Sequence, residues 1–267
     1  MGFNVLKKWK TVRKVFGTFG FLHTLNLFQS KIRNPHNRSD QQELIPADAS
    51  TKAEISELLH RILEIDTSVI SAAEKLTNEI LGPNSNVSSF ERQQFFDKNY
   101  DIGENTAFAI CSLVMNFKPR TVIETGVAAG LSSTIVLSAL TCSTSTGRLV
   151  SVDITEKCGE LIPDHLKVSW DFRVLIGDKR RAFGKILDSV ADCEVFIHDS
   201  DHSSAWQMFE VSSVLSKFPD LKLLIVDDPT LDLLEEKFQG FERFIISERK
   251  KIAAIYIRKE LCKPNLE

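Results

Sequence analysis

The chain has 267 residues, 43% hydrophobic and 26% charged, which excludes a disordered or fibrous protein and allows one large α/β core or one domain with an appendage. Its five cysteines (Cys111, Cys142, Cys158, Cys193, Cys262) are odd in number, widely spaced and without a C-x-x-C pair; this disfavours a disulfide framework or structural zinc site and points to a reducing, cytoplasmic compartment. The net charge of −3 hides an asymmetry: residues 1–39 carry eight basic residues and no acid, leaving 25 basic against 36 acidic residues beyond them, a net −11, and so acidic a body argues against general nucleic-acid binding, which needs a basic surface.

In chain order, Leu6, Trp9, Val12, Phe16, Phe19 and Leu22 recur at intervals of three or four, the pattern of an amphipathic helix with lysines on its other side. Such a helix packs on the body, packs on a second subunit of a homo-oligomer, or lies on a membrane surface through residues 1–30. It does not span, because the longest charge-free run within it, 15–30, has 16 residues and includes His23, Asn26 and Gln29, against the roughly 20 apolar residues needed. Residues 34–49 read as a linker. Helices follow at 51–65 and 67–81, the second stopped by Gly82-Pro83. A loop at 84–89, a short helix at 89–97 and a longer helix at 103–117 complete the first part. These helices either cap a sheet or roof a pocket.

The stretch TVIETGVAAGLSS at 121–133 organises the rest. Thr121, Val122 and Ile123 read as a strand buried on both faces. Gly126 and Gly130 form a tight turn, and an apolar run through Ile135, Leu137 and Leu140 continues as a helix whose N-terminus, with its free N–H groups and positive dipole end, faces a ligand. Further strands are expected at 149–153, 172–177, 195–199 and 223–227, and an antiparallel hairpin at 244–247 and 252–258. The alternation is that of a doubly wound, mostly parallel sheet. Each parallel strand ends in a carboxylate: Glu124, Asp153, Asp178, Asp199 and the pair Asp227-Asp228. Strand C-termini are where such sheets bind ligands. Any one of these acids could instead cap a helix, but the series is harder to explain that way.

The glycine spacing Gly126-x-x-x-Gly130 lacks the second glycine of a dinucleotide fingerprint. On E-T-G-V-A-A-G, V-S-V-D and I-G-D the chain resembles the class I S-adenosylmethionine-dependent methyltransferases over about residues 103–258. On F-I-H-D-S-D-H-S and I-V-D-D it resembles the branch containing macrolide-sugar and rhamnosyl O-methyltransferases and cephalosporin-hydroxylase-like proteins. The resemblance implies a seven-stranded, Rossmann-like methyltransferase fold with an N-terminal helical extension. Together with the charge and patterning of the first part, it divides the chain into a basic segment and linker (1–50), a helical cap region (51–102) and a cofactor-binding domain (103–267). It also implies that Gly126, Val127 and Gly130 wrap the methionine part of S-adenosylmethionine, that Glu124 orients the turn with Ser132 nearby, that Asp153 holds the ribose and that Asp178 lies near the adenine amino group. Ser132 could equally serve only as a helix cap.

A second constellation comprises Asp199, Asp201, His202, Asp227 and Asp228. Three carboxylates in an enclosed crevice repel one another unless a cation or protons neutralise them, and oxygen ligands with room for water suit Mg²⁺ best, with Mn²⁺ or Ca²⁺ also acceptable. In metal-dependent proteins of the resembled branch, the residues matching Asp199, Asp227 and Asp228 bind the ion, and the one matching His202 serves as base. Asp201 reads equally as a cap for the helix starting near Ser203, and His198 as a strand residue facing the core or a neighbour. Pro229 stands where the resembled proteins often carry an aromatic residue, so the substrate wall differs. The expected reaction is metal-assisted methyl transfer to a hydroxyl of a sugar or other small polyol. The alternatives are a metal-independent N- or O-methyltransferase and a non-enzymatic cofactor-binding or membrane-adaptor protein.

Overall fold

The computed structural model describes residues 47–82, 85, 96, 101–143, 146–248 and 251–263. The N-terminal amphipathic helix, most of the expected linker, nearly all of the 84–89 loop and nearly all of the 89–97 helix lie outside them. The first described helix, α1 (Lys52–Leu63), begins at a capping box: Thr51 accepts from Glu54 N, and the Glu54 side chain reaches back to the Thr51 backbone. That reciprocal pair satisfies two otherwise orphaned donors. Helix α2 (Thr67–Leu81) is capped by Asp66 and ends at Gly82. Helix α3 (Glu104–Phe117) begins after Gly103 and ends at Lys118, whose left-handed backbone closes it.

From here strand and helix alternate: β1 (Thr121–Thr125), α4 (Leu131–Ser143), β2 (Arg148–Asp153), β3 (Trp170–Val174), α5 (Lys179–Ser189), β4 (Val195–His198), α6 (Ser204–Lys217), β5 (Leu223–Asp227), α7 (Leu231–Glu235), β6 (Phe241–Glu248) and β7 (Lys251–Arg258). The sheet has seven strands in the order β3-β2-β1-β4-β5-β7-β6. The pairs from β3 to β5 are parallel, while β7 runs antiparallel to both β5 and β6. This is the doubly wound, mostly parallel seven-stranded architecture expected, with the closing hairpin longer at both strands.

Period-two alternation divides the core into two layers. Val122, Leu149, Ile197, Ile225 and Ile255 pack toward α3 and α4. Helices α1 and α2 join that layer through Ile55, Leu58, Leu59, Ala73 and Ile80, so they cap the sheet's helical layer. Ile123, Val150, Phe196, Leu224 and Tyr256 face the other way, toward Phe183 of α5 and Val211 and Val214 of α6. The sheet's far edge is covered as well. Asp48 N donates to Ile245 O at 2.8 Å, Ser247 N donates to Ala49 O at 3.0 Å, and the Asp48 carboxylate accepts from Ile245 N at 2.7 Å.

One strand departs from expectation. The third, expected at 172–177, spans Trp170–Val174 and pairs in parallel with β2, Trp170 opposite Leu149. Ile176 is 78% exposed, so the apolar run after Arg173 belongs to a loop. Asp178 therefore stands four residues past the strand end and not at it.

Candidate functional site

Strand β1 ends by sending consecutive side chains to opposite layers. Glu124, with no exposure, accepts from Ser132 Oγ and Ser133 Oγ at 2.5 Å each and from Ser151 Oγ at 2.9 Å. Trp170 Nε1 in turn donates to Ser151 Oγ at 2.9 Å. Burial pushes the Glu124 carboxyl up to about 7, and the three hydroxyls only partly offset it. Glu124 and Ser132 thus face each other beneath the turn, tying β1 to the first turn of α4.

The turn itself follows. Gly126 (φ +83) and Gly130 (φ +92) take up left-handed backbone, and Ala128 between them also has positive φ, at 46. A Cβ on Gly126 would lie 1.9 Å from the Asp199 carbonyl oxygen, and one on Gly130 would lie 2.8 Å from the Ile162 side chain. Glycine at 126 is therefore required by both conformation and the close approach of the β4 end. Val127 is buried, and its N–H donates to Asp153 Oδ2 at 2.8 Å.

Asp153, at the end of β2, faces the turn. Its Oδ2 also accepts from Ala128 N at 3.4 Å, and its Oδ1 from Ile154 N at 2.6 Å and Thr155 N at 3.3 Å. Burial still leaves this carboxyl raised, outweighing those backbone donors. Asp178 is exposed and caps α5, accepting from Arg181 N at 2.9 Å. Sequence signals at strand ends thus resolve into different placements: Glu124 under the turn, Asp153 against it, Asp178 at a helix start.

The acids beyond β4 and β5 converge. Single ligand atoms of Asp199, His202 and Asp227 lie within 4.8 Å of one another. His202 Nε2 is 3.5 Å from Asp199 Oδ1, and its Nδ1 is 3.6 Å from Asp228 Oδ2. Asp228 is therefore brought to the far side of the imidazole, outside that set of three. Burial works against the His202 imidazolium, but the hydrogen bond with Asp199 and the charges of Asp199, Asp227 and Asp228 outweigh it and raise its pKa. Asp227 is pushed well above the usual carboxylate range by burial and by Asp199 and Asp228, with His202 and Lys251 opposing. Asp227 Oδ1 is buried without a hydrogen-bond partner. Asp201 does not cap α6, whose N-cap is Ser203; its Oδ1 accepts from Ser203 N at 2.9 Å in the turn just before the helix.

Behind this cluster lies a buried group that the strand-end pattern does not indicate. His198 is fully buried, its Nδ1 2.7 Å from Glu210 Oε2. The same oxygen accepts from Thr125 Oγ1 at 2.7 Å and Ser200 Oγ at 3.0 Å. One signal was available: Gln207, Glu210, Val211 and Val214 share the buried face of α6, so polar residues interrupt an apolar stripe at helical spacing.

The sequence matches no protein-family model and no curated protein. Among solved structures, the chain is similar to an O-methyltransferase from Bacillus cereus in complex with SAH, at 12% identity over 76% of this chain and 96% of that one, with TM-score 0.45. It is similar to the O-methyltransferase TomG from Streptomyces achromogenes, involved in tomaymycin synthesis and in complex with SAM, at 13% identity over 72% and 91%, with TM-score 0.47. A methyltransferase from Geobacter sulfurreducens gives 17% identity over 77% and 96%, with TM-score 0.42. All three likenesses are distant.

Proposed function

We propose that the chain is an enzyme that transfers a methyl group from S-adenosylmethionine to a hydroxyl oxygen of a small acceptor, a sugar or other polyol, with Mg²⁺ or Mn²⁺ held by the acids. The observation that carries this reading is the contact between the halves of the site. Gly126 leaves no room for a side chain because the Asp199 carbonyl lies against it, so the cofactor turn and the acid cluster share one mouth of the sheet. The chain belongs, on this reading, with the class I methyltransferases it resembles.

The residues fit each group. A buried Asp227 oxygen without a partner, within 4.8 Å of a carboxylate oxygen of Asp199, is an oxygen pair suited to a divalent cation, with His202 beside it to act as base. Asp199 and Asp227 would hold it, and Asp228, the third carboxylate expected there, sits against His202 Nδ1, where it can orient the imidazole. When bound, the cation would lower the pKa of the acceptor hydroxyl and offset the repulsion among the acids. Gly126, Val127 and Gly130 shape the cofactor turn. Asp153 can exchange its two longest hydrogen bonds, those from Ala128 N and Thr155 N at 3.4 and 3.3 Å, for ribose hydroxyls, since a carboxylate has about four acceptor sites. Asp178, at the exposed start of α5, is the group for the adenine amino side.

The sulfonium is already activated, so the chain supplies alignment, exclusion of water and a base. His202 takes the acceptor proton at Nε2, stabilised as imidazolium by the flanking acids. The reaction belongs in the cytoplasm on this reading, with residues 1–30 available for contact with a membrane surface or a second subunit.

Calorimetric titration tests the cofactor: S-adenosylmethionine binds and NAD does not, and Gly126→Ala loses binding. With a panel of sugar and polyol acceptors, EDTA abolishes turnover and Mg²⁺ restores it, while His202→Ala lowers kcat by about 10²–10⁴ and leaves cofactor affinity unchanged. Absence of S-adenosylmethionine binding sinks the whole reading. Turnover that survives EDTA replaces the cation-assisted mechanism by proton transfer to His202 alone.

A further inference from the structure

We propose that Gln207 and Glu210, on the buried face of α6, are positioning residues that hold the three strand ends of the site in register, a role that rests on the methyltransferase reading above. Both side chains are fully buried. They lie three residues apart, on the first half of a helix whose buried face continues as Val211 and Val214. The polar part of the stripe therefore coincides with the strand C-termini, and the apolar part with the middle of the sheet.

Each residue grips a different set of loops. Glu210 Oε2 gathers Thr125 at 2.7 Å, His198 at 2.7 Å and Ser200 at 3.0 Å. These are the residue immediately before Gly126 and the two that flank Asp199. Trp206 Nε1 extends the set by donating to Ser200 Oγ at 3.1 Å. Gln207 spans the loop after β5: its Nε2 donates to the Asp228 carbonyl at 3.0 Å, and its Oε1 accepts from Thr230 N at 2.8 Å.

Energetic cost and backbone conformation both separate positioning from ordinary packing here. Burying a carboxylate is costly even when it is well bonded, and a helix packed on a sheet is served as well or better by apolar side chains. Here Glu210 Oε1 and His198 Nε2 are buried with no hydrogen-bond partner, which adds to that cost. The backbone conformation points the same way. Asp228 holds φ at 44, a left-handed conformation that a non-glycine residue keeps only when its surroundings over-determine it. Gln207 supplies part of that constraint, with Asp228 N donating to Ile252 O at 2.9 Å as the rest; it binds the loop on both sides of Pro229 and so fixes Asp227 and Asp228 relative to α6. Of the other non-glycine residues with positive φ among those described, Glu64 and Lys118 are helix C-caps, and Ala128 lies in the cofactor turn.

The two residues then have separable effects. Glu210 touches both the cofactor turn and the Asp199 loop, whereas Gln207 touches only the loop of Asp227 and Asp228. The test uses the full chain and two probes read without turnover: S-adenosylhomocysteine by calorimetry and Mn²⁺ alone by electron paramagnetic resonance. Gln207→Leu weakens Mn²⁺ binding by about 10- to 100-fold, the range for residues that support metal ligands, and leaves S-adenosylhomocysteine affinity within about twofold of wild type. Glu210→Ala weakens both probes. Glu210→Gln, which keeps an acceptor oxygen for Thr125 and Ser200, recovers S-adenosylhomocysteine binding. Should Gln207→Leu fail to fold, Gln207→Glu keeps the acceptor for Thr230 N, loses the donor to Asp228 O, and shows the same selective loss of Mn²⁺. Folded variants that bind both probes as wild type does, or a Gln207 variant that loses both probes in parallel with its melting temperature, overturn the positioning role. A wild-type chain that binds neither probe overturns the methyltransferase reading and this inference with it; one that binds both while the variants show no selectivity overturns this inference alone.

Discussion

At the residue scale, Glu124 and Asp227 are both carboxylates that the fold holds above their ordinary pKa, for different reasons. Glu124 is raised mainly by burial, to about 7 from 4.5, and its neighbours are neutral hydroxyls that keep it in place. A carboxyl whose folded pKa exceeds its unfolded one keeps its proton more readily in the folded state. Stability is then greatest below pH 4.5 as far as this group is concerned, and falls as pH rises through 7. The loss is on the order of 3 kcal/mol. Glu124→Gln removes that pH dependence, so urea denaturation at pH 5 and pH 8 differs less in the variant than in wild type. An unchanged difference would mean that Glu124 is ionised throughout. Asp227 is raised by burial and by other acids, and its repulsion is the kind that a cation relieves.

At the element scale, the first parallel strands and their helices follow from local pattern, while the sheet's far edge depends on residues distant in sequence. Residues 48–50 add a short parallel rung to β6, with a bridge between Ala49 and Ile246. The Asp48 carboxylate satisfies Ile245 N, and Ile245 is buried. Asp48→Ala leaves that N–H without its partner, at a cost of about 1–3 kcal/mol, and hydrogen exchange at Ile245 accelerates while β1 and β4 amides keep their protection. Covering an edge in this way also blocks pairing with a second sheet. Helix α6 shows why element-level pattern reading stops short of function. Its periodicity announces a buried face, but the polar residues on that face acquire meaning only from the loops that reach them.

At the scale of the whole molecule, charge and ligand set stability together. The chain beyond residue 39 carries a net −11, and part of that charge is concentrated at Asp199, Asp227 and Asp228. A cation that binds the folded state and not the unfolded one stabilises it by about 2.7 kcal/mol at a hundred times its dissociation constant. On the proposed function, adding Mg²⁺ raises the melting temperature of wild type. Asp227→Asn removes the response, and without added ion it is the more stable protein, because one repelling, desolvated carboxylate is gone. An Mg²⁺ response that persists in Asp227→Asn would place the cation elsewhere. No helix among the described residues is long and apolar enough to cross a membrane.

The strands β1 and β5, the glycine turn and helix α2 were legible because each is specified by neighbours a few residues away: β-branched runs, punctuating glycines and helical spacing. The third strand ends earlier than its pattern suggests because Leu175 and Ile176 extend an apolar run past the last residue that pairs with β2, and only the register with Leu149–Asp153 ends it. The acids illustrate the same boundary. Sequence alone determined that carboxylates recur after successive strands, the pattern expected where an open α/β sheet binds a ligand. The tertiary structure decided which of them meet: Asp199, Asp227 and Asp228 around His202, with Glu124 held by three serine hydroxyls beneath the glycine turn and Asp178 standing apart at the start of α5. It alone revealed Gln207 and Glu210, since hydrogen bonds to Thr125, Ser200 and Thr230 join residues from separate strand ends, and no spacing along one chain records an approach made in three dimensions.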